Sequence, residues 1–282
     1  MSLKPKRNWL LLIIIAGLVA SMGVVGCGDG NGGDGNGELS GTITEAGSTT
    51  VQPLAEKLAE AFKVQFPKVT ITIQGGGSST GVKSAVNGTV DIGAASRELK
   101  ASEEGQGLVT HLLCRDGIAI VVHPSNTAVT GLTTAQVKDI YAGNINNWQD
   151  VSGASASIEV IAREEGSGTR AAFEELVMDD VPITASATLL PSNGNVRTAV
   201  SGDPNAIGFL SFGYLNDSVV ALDIDGVAGT EQNAAAGTYP IVRPLYFLTK
   251  GEPTGVVKAF IDFAKSSEGQ AIAEAEGYIP VS

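Results

Sequence analysis

Apolar and polar positions alternate over Leu39 to Thr44, and then leucine and phenylalanine recur every four residues at Leu54, Leu58, Phe62 and Phe66. The change of period predicts a strand followed by an amphipathic helix. Pro53 suits the first turn of that helix, where its fixed φ is already helical, and Pro67 stops it. The pattern repeats: Val69 to Ile73 reads as a strand, Gln74 to Gly81 as a glycine- and serine-rich loop, and the next residues as a short helix ending at Asn87-Gly88. Val90 to Arg97 is a short buried strand that ends in polar groups, and Ser157 to Ala162 is another, running through a Gly-Ser-Gly-Thr turn into a helix over Ala171 to Met178.

Strand, polar loop and helix in succession predict a parallel α/β layer, and ligands of such sheets sit beyond the C-terminal ends of the strands. Two longer apolar runs, Gly117 to Val122 and Pro240 to Leu248, bracket a middle section. That section holds a capping box at Thr133-Thr134-Ala135-Gln136 before a helix over Thr134 to Tyr141, a turn with Gly143 and Trp148, a short helix after Ser192, and an apolar stretch from Ala206 to Leu215. Asp223 to Gly237 reads as loop, and two helices, Val256 to Phe263 and Glu268 to Ala275, close the chain. An economical topology makes the two long runs crossings between two domains: residues 39–116 with 245–282 form a discontinuous first lobe, and 117–244 the second.

Composition changes the picture at the N-terminus. Lys4, Lys6 and Arg7 precede the apolar run Trp9 to Met22, the layout of an export signal over residues 1–26. Val24-Val25-Gly26-Cys27 resembles the lipobox of bacterial lipoproteins, which implies signal removal and a lipid on Cys27; the alternative is a retained signal anchor. Gly28 to Gly37, almost only Gly, Asp and Asn, is a flexible tether completing residues 27–38. Its G-x-G-x-x-G match has no strand before it and is no nucleotide fingerprint. Either way the rest of the chain lies outside the cytoplasm, lipid-anchored to the outer face of the membrane in the first reading. The 282 residues are 43% hydrophobic and 17% charged, globular rather than disordered, with a net charge of -12 that argues against a nucleic-acid or anionic-lipid surface.

Candidate chemistry lies in three loops. Ser48-Thr49-Thr50, Ser78-Ser79-Thr80 and Arg163 to Thr169 all offer hydroxyls and helix N-termini with few apolar anchors, a set suited to a small polar anion. His111 and His123 are the only histidines, neither at metal-ligand spacing nor beside a serine loop, and Glu165 stands where a nucleophile elbow needs glycine. No enzyme, metal or cofactor is implied. Cys114 reads as a small buried apolar residue.

Five stretches in order, Gly47 to Pro53, Gln74 to Gly81, Asp91 to Arg97, Asp139 to Gly143 through Trp148, and Arg163 to Thr169, resemble the phosphate-binding proteins of bacterial ABC importers. The resemblance implies a two-lobed α/β periplasmic-binding-protein-like fold (type II), with inorganic phosphate in the cleft and the importer's permease subunits as partners. Carried over position by position, it implies phosphate contacts from Thr49, Thr50, Ser78, Ser167, Gly168 and Thr169, with Arg163 as the charged partner and Ser48 and Ser79 as neighbours. Where some members carry an aspartate that accepts the phosphate proton, this chain has Ser96. Asp116 is the leading replacement and Asp91 the runner-up, Arg97 is a further source of positive charge, and Glu164 and Glu165 are solvated acids. The alternatives are a binder of sulfate or molybdate, an extracellular hydrolase, and an adhesive surface lipoprotein.

Overall fold

The computed structural model describes residues 39–179 and 181–281; the signal, Cys27 and the tether fall outside them. In chain order the elements are β1 (Ser40–Gly47), α1 (Val51–Gln65), β2 (Lys68–Gly75), α2 (Ser78–Asn87), β3 (Ile92–Ala95), β4 (Leu108–Val122), β5 (Gly131–Leu132) and α3 (Thr134–Ala142). There follow β6 (Glu159–Arg163), α4 (Gly168–Phe173), β7 (Thr188–Leu190), α5 (Asn193–Gly202), β8 (Ala206–Ser211), β9 (Val220–Ala221), β10 (Asp223–Ile224), α6 (Glu231–Ala235), β11 (Val242–Lys250), α7 (Gly255–Lys265) and α8 (Ser267–Ala275). The short β10 and α6 lie inside Asp223 to Gly237, which the sequence reads as loop.

The main sheet runs β2-β1-β3-β11-β4-β8-β6-β7, with β9 added to β4. Its two ends are parallel, β1 with β2 and β3, and β6 with β7 and β8, whereas β4 and β11 are antiparallel to each other and to their outer neighbours. β4 is therefore one strand that changes its main partner along its length, with β9 added at its end. Leu108 to Gly117 pairs with β11, and Ile118 to Val122 with β8.

Each end of the sheet has its own apolar core. Leu54, Leu58 and Phe62 of α1 pack with Ile43, Leu113, Cys114, Phe247, Phe260 and Tyr278. Ile120 of β4 packs instead with Ile140, Tyr141, Phe173, Val196 and Phe209, where Phe173 stacks on Phe209 at 4.2 Å between ring centres. Burying one such side chain contributes roughly 1.5–3 kcal/mol, so each core can hold its own set of loops still.

Local chemistry fixes where the helices begin. Thr133 and Gln136 form the reciprocal capping box, and Ser167 and Ser192 accept from the amides of Arg170 and Asn195 as N-caps. Gly143 and Gly88 end α3 and α2 in the left-handed region. The helix read over Ala171 to Met178 starts earlier, at Gly168, and changes after Phe173 to a π-helical turn over Glu174–Met178. Glycine also sets the distance between α2 and the sheet: a Cβ at Gly81 would stand 2.3 Å from the Ala94 carbonyl and 2.9 Å from its amide. Only a bare backbone lets α2 lie this close, and that approach brings Ser78 to Ser96.

Candidate anion site

The C-terminal ends of β1, β2, β3 and β6 converge, and each feeds a loop whose polar groups turn inward. Ser48, Thr50, Ser78, Ser96, Arg163, Ser167 and Thr169 are all buried. The first amides of a helix have no partner within it, so the starts of α1, α2 and α4 add positive dipole ends to the same place. The tightest approach is at Gly168, where a Cβ would lie 2.1 Å from Ser78 Oγ and 2.4 Å from Ser96 Oγ. No residue with a side chain fits there while the loops stay together.

Direct bonds join groups from the two cores. Thr50 and Thr169 hydroxyls lie 3.1 Å apart, Arg163 Nη2 donates to Thr49 Oγ1 at 3.3 Å, and the Ser79 amide donates to the Gly166 carbonyl at 3.0 Å. Arg163 is held by its own neighbourhood: Nε donates to the Leu190 carbonyl at 3.1 Å and Nη2 to that of Pro191 at 2.7 Å. It makes no ion pair with Glu164 or Glu165, which are exposed. Burial, and then the neighbouring Arg243 charge, lower its pKa to about 10, so it stays cationic at neutral pH.

Arg243, on β11, is the group that the sequence reading missed. It is buried and donates from Nη2 to Asp116 Oδ2 at 2.8 Å, from Nε to the same oxygen at 3.1 Å, and from Nη2 to Thr50 Oγ1 at 3.0 Å. The Ser211 hydroxyl donates to Asp116 Oδ1 at 2.9 Å. Asp116, expected as the acceptor of the phosphate proton, has both oxygens engaged by the protein. Burial pushes the Asp116 carboxyl up and the Arg243 guanidinium down, and each charge opposes the shift of the other. A guanidinium does not give up its proton in a protein, so Arg243 stays cationic beside Asp116. Arg163, Arg243 and Asp116 together leave a net positive charge.

Asn193, at the start of α5, was also missed; its Nδ2 donates to Thr50 Oγ1 at 3.0 Å. Thr50 Oγ1 therefore accepts from both Asn193 and Arg243, which fills its two lone pairs and makes Thr50 the donor in its 3.1 Å contact with Thr169 Oγ1. Ser78 Oγ accepts from the Ser96 amide at 3.0 Å and lies 3.3 Å from Ser96 Oγ. Ser48 Oγ caps the first loop by accepting from the Thr50 amide at 3.1 Å.

Two expected members stand aside. Arg97 is bound by both Glu103 oxygens at 2.7 and 2.8 Å and donates to Ser79 Oγ at 3.3 Å, so its charge is already matched. Asp91 is exposed and accepts from the Thr44 amide and hydroxyl, each at 2.8 Å, which ties β1 to the entry of β3. Among the described residues no group of three His, Cys, Asp or Glu side chains is placed to hold a metal ion. His111 pairs with Thr249 and His123 with Ser125, so neither serves the serine loops.

Residues 32–268 match the model of the PBP superfamily domain. The phosphate-binding protein PstS of Bacillus subtilis (strain 168) is 35% identical over 291 residues, covering 98% of this chain and 95% of that protein. The chain belongs to the PstS phosphate-binding-protein family. Among solved structures, a putative phosphate ABC transporter substrate-binding protein of Clostridium perfringens with bound phosphate is 42% identical, with a TM-score of 0.83 over 86% of this chain and 100% of that one. An ABC-type phosphate transport receptor of Vibrio cholerae is 36% identical, with a TM-score of 0.71 over 85% and 100%. The fold is accordingly the two-lobed α/β architecture of these binding proteins, and the candidate site lies where the two apolar cores meet. The strand-end loops carried enough signal to be found from sequence. Arg243 carried a weaker one: a lone charge within the apolar stretch Pro240 to Leu248 needs a buried partner, and Asp116 in the other crossing strand is that partner.

Proposed function

We propose that the protein binds inorganic phosphate outside the cytoplasm and delivers it to the permease subunits of an ABC importer. The observation that carries this reading is the convergence of three hydroxyl-bearing loops and Arg163 around Gly168, with no room for a side chain there and a net positive charge beneath. Thr49, Thr50, Ser78, Ser167, Gly168 and Thr169 supply donors, Ser96 supports Ser78, and Arg163 and Arg243 supply charge. Asp116 acts through Arg243, holding that guanidinium against Thr50, while Ser48 caps the first loop. Ser79 and Arg97 belong to the rim.

In this reading residues 39–116 and 245–282 form one lobe and 117–244 the other, residues 1–26 are a removed signal, and Cys27 carries the lipid that tethers the protein through residues 27–38. No helix among the described residues is long and apolar enough to cross a membrane. In this reading the protein is a binder rather than an enzyme, in keeping with the solute-binding names of its relatives.

Isothermal titration of the mature chain with phosphate and with sulfate tests the function. Several charge-assisted hydrogen bonds at about 1.5–3 kcal/mol each, less the ordering cost, are expected to give phosphate a dissociation constant at or below micromolar. Sulfate binding as tightly as phosphate would favour the broader oxyanion reading, and no heat with either anion would remove both.

A further inference from the structure

We infer that Tyr214 is a positioning residue for the anion site, a latch that holds the closed cleft without touching the anion; this rests on the phosphate reading above. Its phenol donates to the Thr49 carbonyl oxygen at 2.6 Å. Tyr214 packs with the core built on β8, α5 and α4, whereas Thr49 leads into α1, whose apolar face lies in the other core. The bond therefore spans the two bodies whose approach makes the site. It grips the main chain of Thr49, the residue whose hydroxyl accepts from Arg163, next to Thr50, whose hydroxyl meets Asn193, Arg243 and Thr169.

Two further observations support a built latch. Arg197 donates from Nη1 to the Tyr214 carbonyl at 3.0 Å, and its guanidinium carbon lies 5.8 Å from the centre of the Tyr214 ring, so the ring is held on its own side. On the other side, the Tyr278 phenol donates to the Thr50 carbonyl at 2.8 Å from within the same core as α1. The peptide units of Thr49 and Thr50 are thus clamped by one tyrosine from each core. Gly213 lets the two sides meet, because a Cβ there would lie 2.5 Å from the Tyr278 phenol oxygen. The two bonds differ in one respect: opening the cleft breaks that of Tyr214 and leaves that of Tyr278 intact.

Tyr214→Phe keeps the ring and removes the donor. A lost hydrogen bond of about 1 kcal/mol corresponds to a factor of roughly five. In a chase of radiolabelled phosphate from the full mature chain, Tyr214→Phe is expected to release phosphate about fivefold faster. The association rate and the melting temperature of the ligand-free protein stay as in the wild type. Tyr278→Phe is expected to lower that melting temperature and to change the release rate less than Tyr214→Phe does. Release by Tyr214→Phe within twofold of wild type overturns the inference while leaving phosphate binding intact. A ligand-free melting temperature that falls with unchanged release shows a folding role and overturns it as well. A wild type that binds no phosphate overturns the functional reading and the latch together.

Discussion

At the scale of single residues, the Asp116–Arg243 pair decides how the site handles charge. Both partners are essentially inaccessible to water, at 0% and 1% side-chain exposure, and a buried pair broken on one side typically costs about 3–5 kcal/mol, because the surviving charge is stranded. Asp116→Asn is therefore expected to lower unfolding free energy by about that amount, read by urea denaturation. Because Asp116 meets Arg243 and Ser211, its loss is expected to change phosphate and sulfate affinity in the same direction and to a similar extent. A selective loss of phosphate would instead make Asp116 the acceptor of the phosphate proton. The loop residues were legible in sequence because hydroxyls and glycines at strand ends advertise themselves. Arg243 showed only as a lone charge in an apolar run, and Asn193 and Tyr214 not at all, since each acts through a partner far along the chain and a single sequence does not show who meets whom.

At the scale of elements, β1 contains a group that works against its strand. Ile43 and Glu45 point to the same buried side, yet Glu45 is only 2% exposed and neither of its carboxylate oxygens has a hydrogen-bond partner. Burial first, and the charge of Glu56 second, raise its pKa to about 8. An acid whose folded pKa lies above its unfolded value near 4.5 stabilises the fold fully below that lower value, and the contribution is lost as pH rises towards 8. Glu45→Gln keeps the shape without the ionisation, so the decline in stability between pH 5 and 8 is expected to flatten by an amount on the order of a few kcal/mol. Equal pH slopes for the variant and the wild type in urea unfolding would show that Glu45 is solvated. The element pattern itself was largely readable, because caps such as Thr133 and stops such as Gly88 act locally. β4 was the exception. It begins at Leu108 rather than Gly117, because His111, Arg115 and Asp116 break the apolar run, while backbone pairing with β11 continues through them.

At the scale of the whole molecule, β4 and β11 tie the two cores to one another. β4 passes from pairing with β11 to pairing with β8, so neither core can lose it without disturbing the other. The sequence showed two crossings, but the antiparallel register that welds them follows from contacts between residues over a hundred positions apart, such as Gly117 with Val242. In the proposed site, phosphate between the cores would add bonds only to the folded, closed form. By mass action a ligand at a thousand times its dissociation constant raises unfolding free energy by about 4.1 kcal/mol. Shared strands and a shared ligand together lead to one expectation: phosphate shifts a single calorimetric transition upward, with calorimetric and van't Hoff enthalpies that agree. A scan with two transitions, of which phosphate moves only one, would mean that the anion rests on one core and that the contacts from Arg163 to Thr49 and from Tyr214 to Thr49 add nothing to its hold. A single shifted transition makes closure part of folding stability, so that the loops around Gly168 are ordered by the same free energy that retains the anion.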